Sequence, residues 1–561
     1  MVEALQHAGV RCVFGLPGTQ TLELFEALRQ SRIRTVVATN ELSAAFMAGG
    51  WARVTGEPGV LLTISGPGFT WALTGIAEAR LDSVPLVHLM GAPAPDPVKR
   101  SFRQQELDHD AIATPLVKGI VDTDSYDDPA DAVFEALQLA RSGEPGPVLL
   151  QVTSALLAKN LETDGLGSLS VPASDRAGVD AVCVRLAGAR RPILLVGPGT
   201  NRCADQLRIL VERLHAPVIT TPSARGVIPE SHPLNLGFYP MAGNVGPVNE
   251  FLKTGDLILA IGSKLSHSDT AGFEMELPAD RLIHLDASAE VIEANYPASL
   301  GAVGDVGDLL RQLLDSHLTR STWADSELEG WRRRIGSIRT DFVEPHIAGT
   351  PGGDAASFFR AMRRALPDDS TLVLDSGLHQ VLARRYYSVQ APYGLMMPTD
   401  LQSMGFAIPT AIGVKLACPD DPVVALVGDG GFAMTAMELL SAVREKISLT
   451  IIVFVDGAFG QIRVQQLANY GTGHGVTLRN PDFQLFALSV GARYEAVGDT
   501  DSIEDILRAA LQVSGVTLIE VGVEDAFPLR RVAATARARE VTRRAAGPRV
   551  FRFIARLFRR R

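Results

Sequence analysis

The residues best placed to do chemistry are two aspartates, Asp429 and Asp456, each ending a short apolar run and each followed by glycine. Residues 423–427 (VVALV) and 450–455 (TIIVFV) are apolar and rich in β-branched side chains, as core strands of a parallel sheet are. Between them TAMELLSAVRE carries helical periodicity. A strand, a helix and a second strand put both carboxylates at the carboxyl edge of one sheet, where doubly wound folds bind ligands. Carboxylates so placed repel unless a cation lies between them. Mg²⁺ suits the position, because it takes oxygen ligands and commonly binds one or two carboxylates together with phosphate oxygens. Gly430 and Gly431 would let backbone amides approach a phosphate at the helix start. Taken singly, each Asp-Gly pair reads as a turn.

Glu41 is the second candidate. It follows the strand-like TVVAT and opens a helix dense in Ala and Gly, with Asn40 as the N-cap. A carboxylate at a helix start is also favoured by the dipole alone.

These stretches resemble the thiamine diphosphate enzymes, in particular the acetolactate synthase-like branch. The family motif is GDG followed, after a helix and a strand, by Asn-Asn or Asn-Asp. Here Val455 stands at the first of those positions and Asp456 at the second. The resemblance implies metal ligation by Asp429, Asp456 and the carbonyl of Ala458, with Gly430, Gly431, Phe459 and Gly460 at the cofactor. Residues 41–68, ELSAAFMAGGWARVTGEPGVLLTISGPG, match the family's activating region and imply that Glu41 is the acid that hydrogen-bonds the aminopyrimidine ring. Burial would raise its pKa and so favour proton sharing with the ring nitrogen. Asn40 and Leu42 replace the family's flanking His and Gln. DSGLHQ implies that His379 and Gln380 lie near the diphosphate. DLQSMGFAIPTAIGVKLA implies that Met404 wedges under the cofactor and that the Gln402 carbonyl faces its amine. Gln105 matches an active-site glutamine and Lys118 a lysine near the substrate channel.

The elements that must position these residues fall into three α/β blocks. Alternating strands and helices with glycine and proline punctuation predict doubly wound parallel sheets in each. The expected domains are a pyrimidine-binding domain (1–175), a central Rossmann-like domain (176–330) and a diphosphate-binding domain (331–530), followed by a basic tail (531–561). No sequence-level repeat relates them. At 561 residues, 46% hydrophobic and 21% charged, the chain can bury several cores. No apolar run approaches a membrane span and no signal peptide is evident, so a cytoplasmic protein is expected. The four cysteines show no metal-binding spacing. A net charge of −10 argues against nucleic acid as a partner.

The resemblance implies decarboxylation of a 2-oxo acid with carboligation to a second carbonyl, and a homo-oligomer, at least a dimer and open to a tetramer. Gln104, Gln461 and Gln465 stand where biosynthetic relatives carry Phe, Met and Trp, which predicts a more polar substrate. The alternatives are a 2-oxo acid decarboxylase or lyase of specialised metabolism, and an inactive regulatory paralogue; retention of Glu41, Asp429 and Asp456 argues against the last. FAD is a further candidate cofactor. Gly197 to Gly199 are kept, but IGSKLSHSDTAG replaces the GARFDDRVTG of flavin-containing relatives, so a flavin-free protein is expected.

From Thr535 to Arg561 the chain has ten Arg and one Glu. RVFRFIARLFRRR, after Gly547-Pro548, spaces Phe, Ile and Leu as one helical stripe with arginines between. Such a helix either docks on the acidic body or attaches peripherally to anionic membrane. Docking predicts that full-length protein and a chain ending at Gly547 remain equally in the supernatant when spun with anionic liposomes at low salt. Membrane attachment predicts that only the full-length protein pellets, and that high salt releases it.

Overall fold

A computed structural model describes residues 1–93, 103–153, 175–238, 245–337 and 342–524, with a few flanking positions. The expected amphipathic tail lies outside the described residues. Among those described, no helix is long and apolar enough to cross a membrane.

Three six-stranded, all-parallel sheets flanked by helices follow one another along the chain. The first contains β1 (Cys12–Gly15), β2 (Arg34–Val37), β3 (Gly59–Ile64), β4 (Leu86–Ala92), β5 (Gly119–Asp122) and β6 (Pro147–Thr153), in the order β2-β1-β3-β4-β6-β5. The central sheet contains β7 (Pro192–Val196), β8 (Val218–Thr220), β9 (Asn235–Phe238), β10 (Leu257–Ile261), β11 (Leu282–Asp286) and β12 (Leu300–Val303), in the order β12-β11-β10-β7-β8-β9. Numbered within the block, that is the 3-2-1-4-5-6 order of dinucleotide-binding folds. A short pair follows, β13 (Phe342–Val343) running antiparallel to β20 (Phe527–Pro528). The third sheet contains β14 (Thr371–Leu374), β15 (Leu395–Met396), β16 (Val423–Gly428), β17 (Leu449–Val455), β18 (Arg493–Val497) and β19 (Val516–Gly522), in the order β15-β14-β16-β17-β19-β18. The first and third sheets therefore share one strand order although no sequence repeat announces it.

Strands such as PILLV (β7) and LILAI (β10) are buried throughout, as strands covered on both faces must be. Residues on both sides of the expected boundary at 330 form one helix, Asp325–Gly336, which buries Leu328 and Ile335 in the central core. Spacing by one helical face, rather than overall polarity, decided its place.

The first and third blocks share a single apolar core. Its seam is the helix Glu41–Thr55 laid against the helix Ala407–Ala417, with the Phe46 and Phe406 rings edge to face at 5.4 Å. Both helices are apolar on nearly every side, so each must be buried. Asn40 caps the first by accepting from Ser43 N–H at 2.9 Å, and Gly56 ends it at φ 67°. At the seam the backbones nearly touch: a Cβ on Gly413 would stand 2.0 Å from the Met47 carbonyl oxygen, and one on Gly50 would stand 2.4 Å from that of Thr410. Gly413→Ala should therefore destabilise the protein by about 1–3 kcal/mol in urea unfolding, although alanine is the better helix former. Gly49→Ala, on the same helix as Gly50 but with open space around it, should be neutral or mildly stabilising.

Candidate functional site

In the third sheet the strand order reverses between β14 and β16, which opens a crevice at their carboxyl ends. The loops leaving β14, β16 and β17 meet there. Asp429 is the first residue of the helix Asp429–Thr435, so strand passes into helix with no intervening turn. The single helix expected from the periodicity is interrupted by a 3-10 turn at Ala436–Glu438. Of the expected residues, His379, Met404, Asp429, Gly430, Gly431, Asp456, Ala458, Phe459 and Gly460 line one cavity, and Gln461 joins them.

The Asp429 carboxylate is tightly oriented. Its Oδ1 accepts from Gly430 N–H, and its Oδ2 accepts from Gly457 N–H and from the Asn480 side-chain amide, each at 2.8 Å. Burial raises its pKa, while these donors oppose the rise. Asp456 Oδ1 accepts from Ala458 N–H at 3.1 Å, and Arg463 lies 3.7 Å from Oδ2. Gly460 is glycine for room, since a Cβ there would stand 2.2 Å from Asp456 Oδ2.

The backbone of residues 457–459 is zipped to residues 476–478. Phe459 N–H donates to the Val476 carbonyl and Leu478 N–H to the Gly457 carbonyl, both at 2.8 Å, flanking an antiparallel bridge between Ala458 and Thr477. In such a bridge the middle residue's own N–H and carbonyl face away from the partner segment, so the Ala458 carbonyl is not used by the 476–478 segment. Among the described residues no cluster of three or more His, Cys, Asp or Glu side chains could hold a metal. The Asp429 and Asp456 carboxylates and the Ala458 carbonyl are all oxygen donors, which is the chemistry Mg²⁺ would require.

His379 is not in a loop. It lies in the first turn of the helix Leu378–Tyr386, buried, with its pKa pushed down to about 4 by desolvation. Gln380 does not line the cavity; its amide donates to the Pro398 carbonyl at 3.2 Å and so steadies the chain leading to Gln402. Gln402 itself sits at φ 60°, a left-handed conformation costly for a non-glycine residue, held by its side-chain amide donating to the Pro398 and Thr399 carbonyls. Asp375, wholly buried, accepts from Ser376, Gly405 and Ala407 N–H groups and thereby fixes the turn carrying Met404. Burial pushes its pKa up to about 7, against those three donors.

Glu41 and Gln105 belong to the carboxyl edge of the first sheet. Glu41 is half-buried and its pKa is raised, chiefly by desolvation. Gly68 leaves it room: a Cβ there would be 3.2 Å from Glu41 Oε1. Gln105 is at φ 61° and accepts from the Gln20 side-chain amide, and Gly66, itself at φ 63°, packs so closely that a Cβ would lie 2.9 Å from the Gln105 Cα. Gln20 leaves β1 and Gly66 leaves β3, so both stand at this sheet's own reversal of strand order. Lys118, expected near a substrate channel, precedes β5 at the opposite, amino-terminal edge. There its ammonium donates to the Leu139 and Ser142 carbonyls at 2.6 and 2.5 Å and closes a helix end.

Four polar residues that shape these edges are not among the expected site residues: Gln20, Asp375, Glu438 and Asn480. Glu438 is wholly buried, accepting from Thr39 N–H at 3.0 Å and from the Thr39 hydroxyl immediately before Asn40 and Glu41. Asp375 opens DSGLHQ, and its position directly after a buried strand was a usable signal. The other three act across long stretches of chain.

Family comparison matches residues 1–112 to the N-terminal TPP binding domain of thiamine pyrophosphate enzymes, residues 179–313 to their central domain and residues 375–521 to their C-terminal TPP binding domain. The chain is 33% identical to the probable 2-ketoarginine decarboxylase of Pseudomonas aeruginosa, over 93% of each chain. It is 29% identical to the acetolactate synthase of Bacillus subtilis, over 93% of this chain and 92% of that one. It is 30% identical to the acetolactate synthase isozyme 3 large subunit of Escherichia coli, over 94% and 96%.

Proposed function

Given that the chain belongs to the thiamine pyrophosphate enzymes, we propose that it decarboxylates a 2-oxo acid with thiamine diphosphate and Mg²⁺ and joins the remaining acyl unit to a second carbonyl compound. The observation that carries this reading is the convergence of Asp429, Asp456 and Ala458 at one sheet edge, on the wall of one cavity that Gly430, Gly431 and Gly460 also line. Thiamine diphosphate would supply the electron sink that lets CO₂ leave. Asp429, Asp456 and the Ala458 carbonyl would hold the cation, and Met404 and His379 bound the same cavity. Glu41, its proton held more tightly by burial, would be the carboxyl that hydrogen-bonds the pyrimidine ring of the cofactor and shares a proton with it.

Two features support a homodimer as the working unit. The Asp429 cavity of one chain is about 120 Å³ and includes no residue of the first block, whereas ligand sites usually run to about 300–1,000 Å³. Met434, Met437 and Leu440 around the broken helix, and Trp71 on the helix Pro67–Leu81, are exposed apolar residues that a second copy would cover. Glu41 would then act on the cofactor held by the other chain.

The central domain has the strand order of dinucleotide-binding folds, and we infer that it carries no flavin. Gly199 N–H donates to the Gly262 carbonyl at 2.9 Å, so the two glycine turns pack on each other instead of presenting amides to a diphosphate. Lys264 reaches instead to the Leu81 carbonyl and Glu144 of the first block.

A second reading, decarboxylation without ligation, is favoured by the amides Gln20, Gln105 and Gln461 at the two sheet edges and by the likeness to a protein named as a 2-ketoarginine decarboxylase. Purified protein given thiamine diphosphate, Mg²⁺ and a panel of 2-oxo acids should release CO₂, and its preparations should show no flavin absorbance. Mass spectrometry of the products separates a ligated hydroxy-ketone from a free aldehyde, and absence of CO₂ from every acid would sink both readings. In the same assay Glu41→Gln should lower turnover by about 10²–10⁴-fold while thiamine diphosphate still binds by calorimetry; near-normal turnover would remove Glu41 from its assigned role.

A further inference from the structure

We propose that Asn480 is the positioning residue of the metal site: it holds the Asp429 carboxylate in its ligating orientation, delivered by a segment that also shapes the Ala458 carbonyl. The inference rests on the metal reading given above. The Asn480 side-chain amide donates to Asp429 Oδ2 at 2.8 Å, and Gly457 N–H donates to the same oxygen at 2.8 Å. Two donors occupy both lone pairs of Oδ2, so Oδ1 is the oxygen turned toward a cation.

Asn480 reaches that position by construction rather than by chance contact. Residues 476–478 pair with residues 457–459 through the two backbone bonds that flank the bridge at Ala458. The same segment is tied to the helix Gly460–Tyr470 at its other end, where Gln466 accepts from His474 N–H at 2.7 Å and donates to the His474 carbonyl at 3.1 Å. Leu478 and Phe459 both close on Gly430, where a Cβ would meet the Phe459 ring at 2.8 Å and Leu478 at 3.3 Å. One short segment therefore sets two of the three ligands, the Ala458 carbonyl through the backbone pairing and Asp429 through the Asn480 amide. A neutral donor suits this task. It orients the carboxylate without neutralising it, leaving its charge for the cation.

Partners that orient a ligand typically contribute 10–100-fold to metal affinity. The test is calorimetric titration of thiamine diphosphate into the full-length protein at a series of Mg²⁺ concentrations, for wild type, Asn480→Leu, Asn480→Ser and Asp429→Ala. Both Asn480 variants should need about 10–100-fold more Mg²⁺ for half-maximal cofactor binding, and raised Mg²⁺ should restore that binding. Thermal melting without cofactor should be nearly unchanged, since the amide lies in a surface segment. A Mg²⁺ dependence equal to wild type in both variants would overturn the proposal, as would a loss of binding that no Mg²⁺ concentration restores. If Asp429→Ala also binds the cofactor with unaltered Mg²⁺ dependence, the metal reading itself fails, which is a different result from failure at Asn480 alone.

Discussion

The near contact of two helix backbones, Glu41–Thr55 against Ala407–Ala417, is the constraint on which the arrangement of the site depends. Only glycine at positions 50 and 413 permits it, and it fuses the cores of the first and third blocks into one. Each helix leads directly to chemistry. Glu41 begins the first, and the turn carrying Gln402 and Met404 runs into the second, pinned there by Asp375. Glu438 adds a polar tie across the same seam by receiving Thr39. The two sheets are thus locked in one orientation, with Glu41 outside the residues that line the Asp429 cavity of its own chain.

Much of this was legible in the sequence for physical reasons. Strands buried on both faces must be apolar runs, so β16 and β17 and the aspartates ending them could be read from residue type alone, as could the Asn40 cap. What could not be read depends on the paths of loops. Asn480 reaches Asp429 across 51 positions, Gln20 reaches Gln105 across 85 and Glu438 reaches Thr39 across 399. No local pattern encodes such pairings, because the partners are brought together only by the packing of elements far apart in the chain. The interruption at Ala436–Glu438 was missed for a related reason. Periodicity describes which face is apolar, and it does not register that a buried Glu must turn toward a partner in another block.

Polar groups at the two sheet edges are kept in unfavourable states by their surroundings. Gln105 and Gln402 hold left-handed backbones without being glycine, each at a cost of about 1–3 kcal/mol. Their side chains are the compensation: Gln402 bonds two carbonyls of its own loop, and Gln105 is gripped by Gln20. His379 is desolvated without a hydrogen-bond partner for Nε2. Asp375 is desolvated too, but three N–H groups surround it, so it serves as a rigid pin.

The shared strand order of the first and third sheets bears on where substitution can act. A single architecture, present twice in one chain, offers two topologically equivalent crevices, and different residue types line them. One holds carboxylates, glycines and Asn480 bound to one another by short contacts. The other presents amides on loops after β1 and β4, on a separate sheet, where substitution leaves the first crevice undisturbed. Substitution in the loops after β1 and β4 can therefore proceed without touching the contacts that orient Asp429, while Glu41, on the same sheet as those loops, stays tied to the helix at the glycine seam.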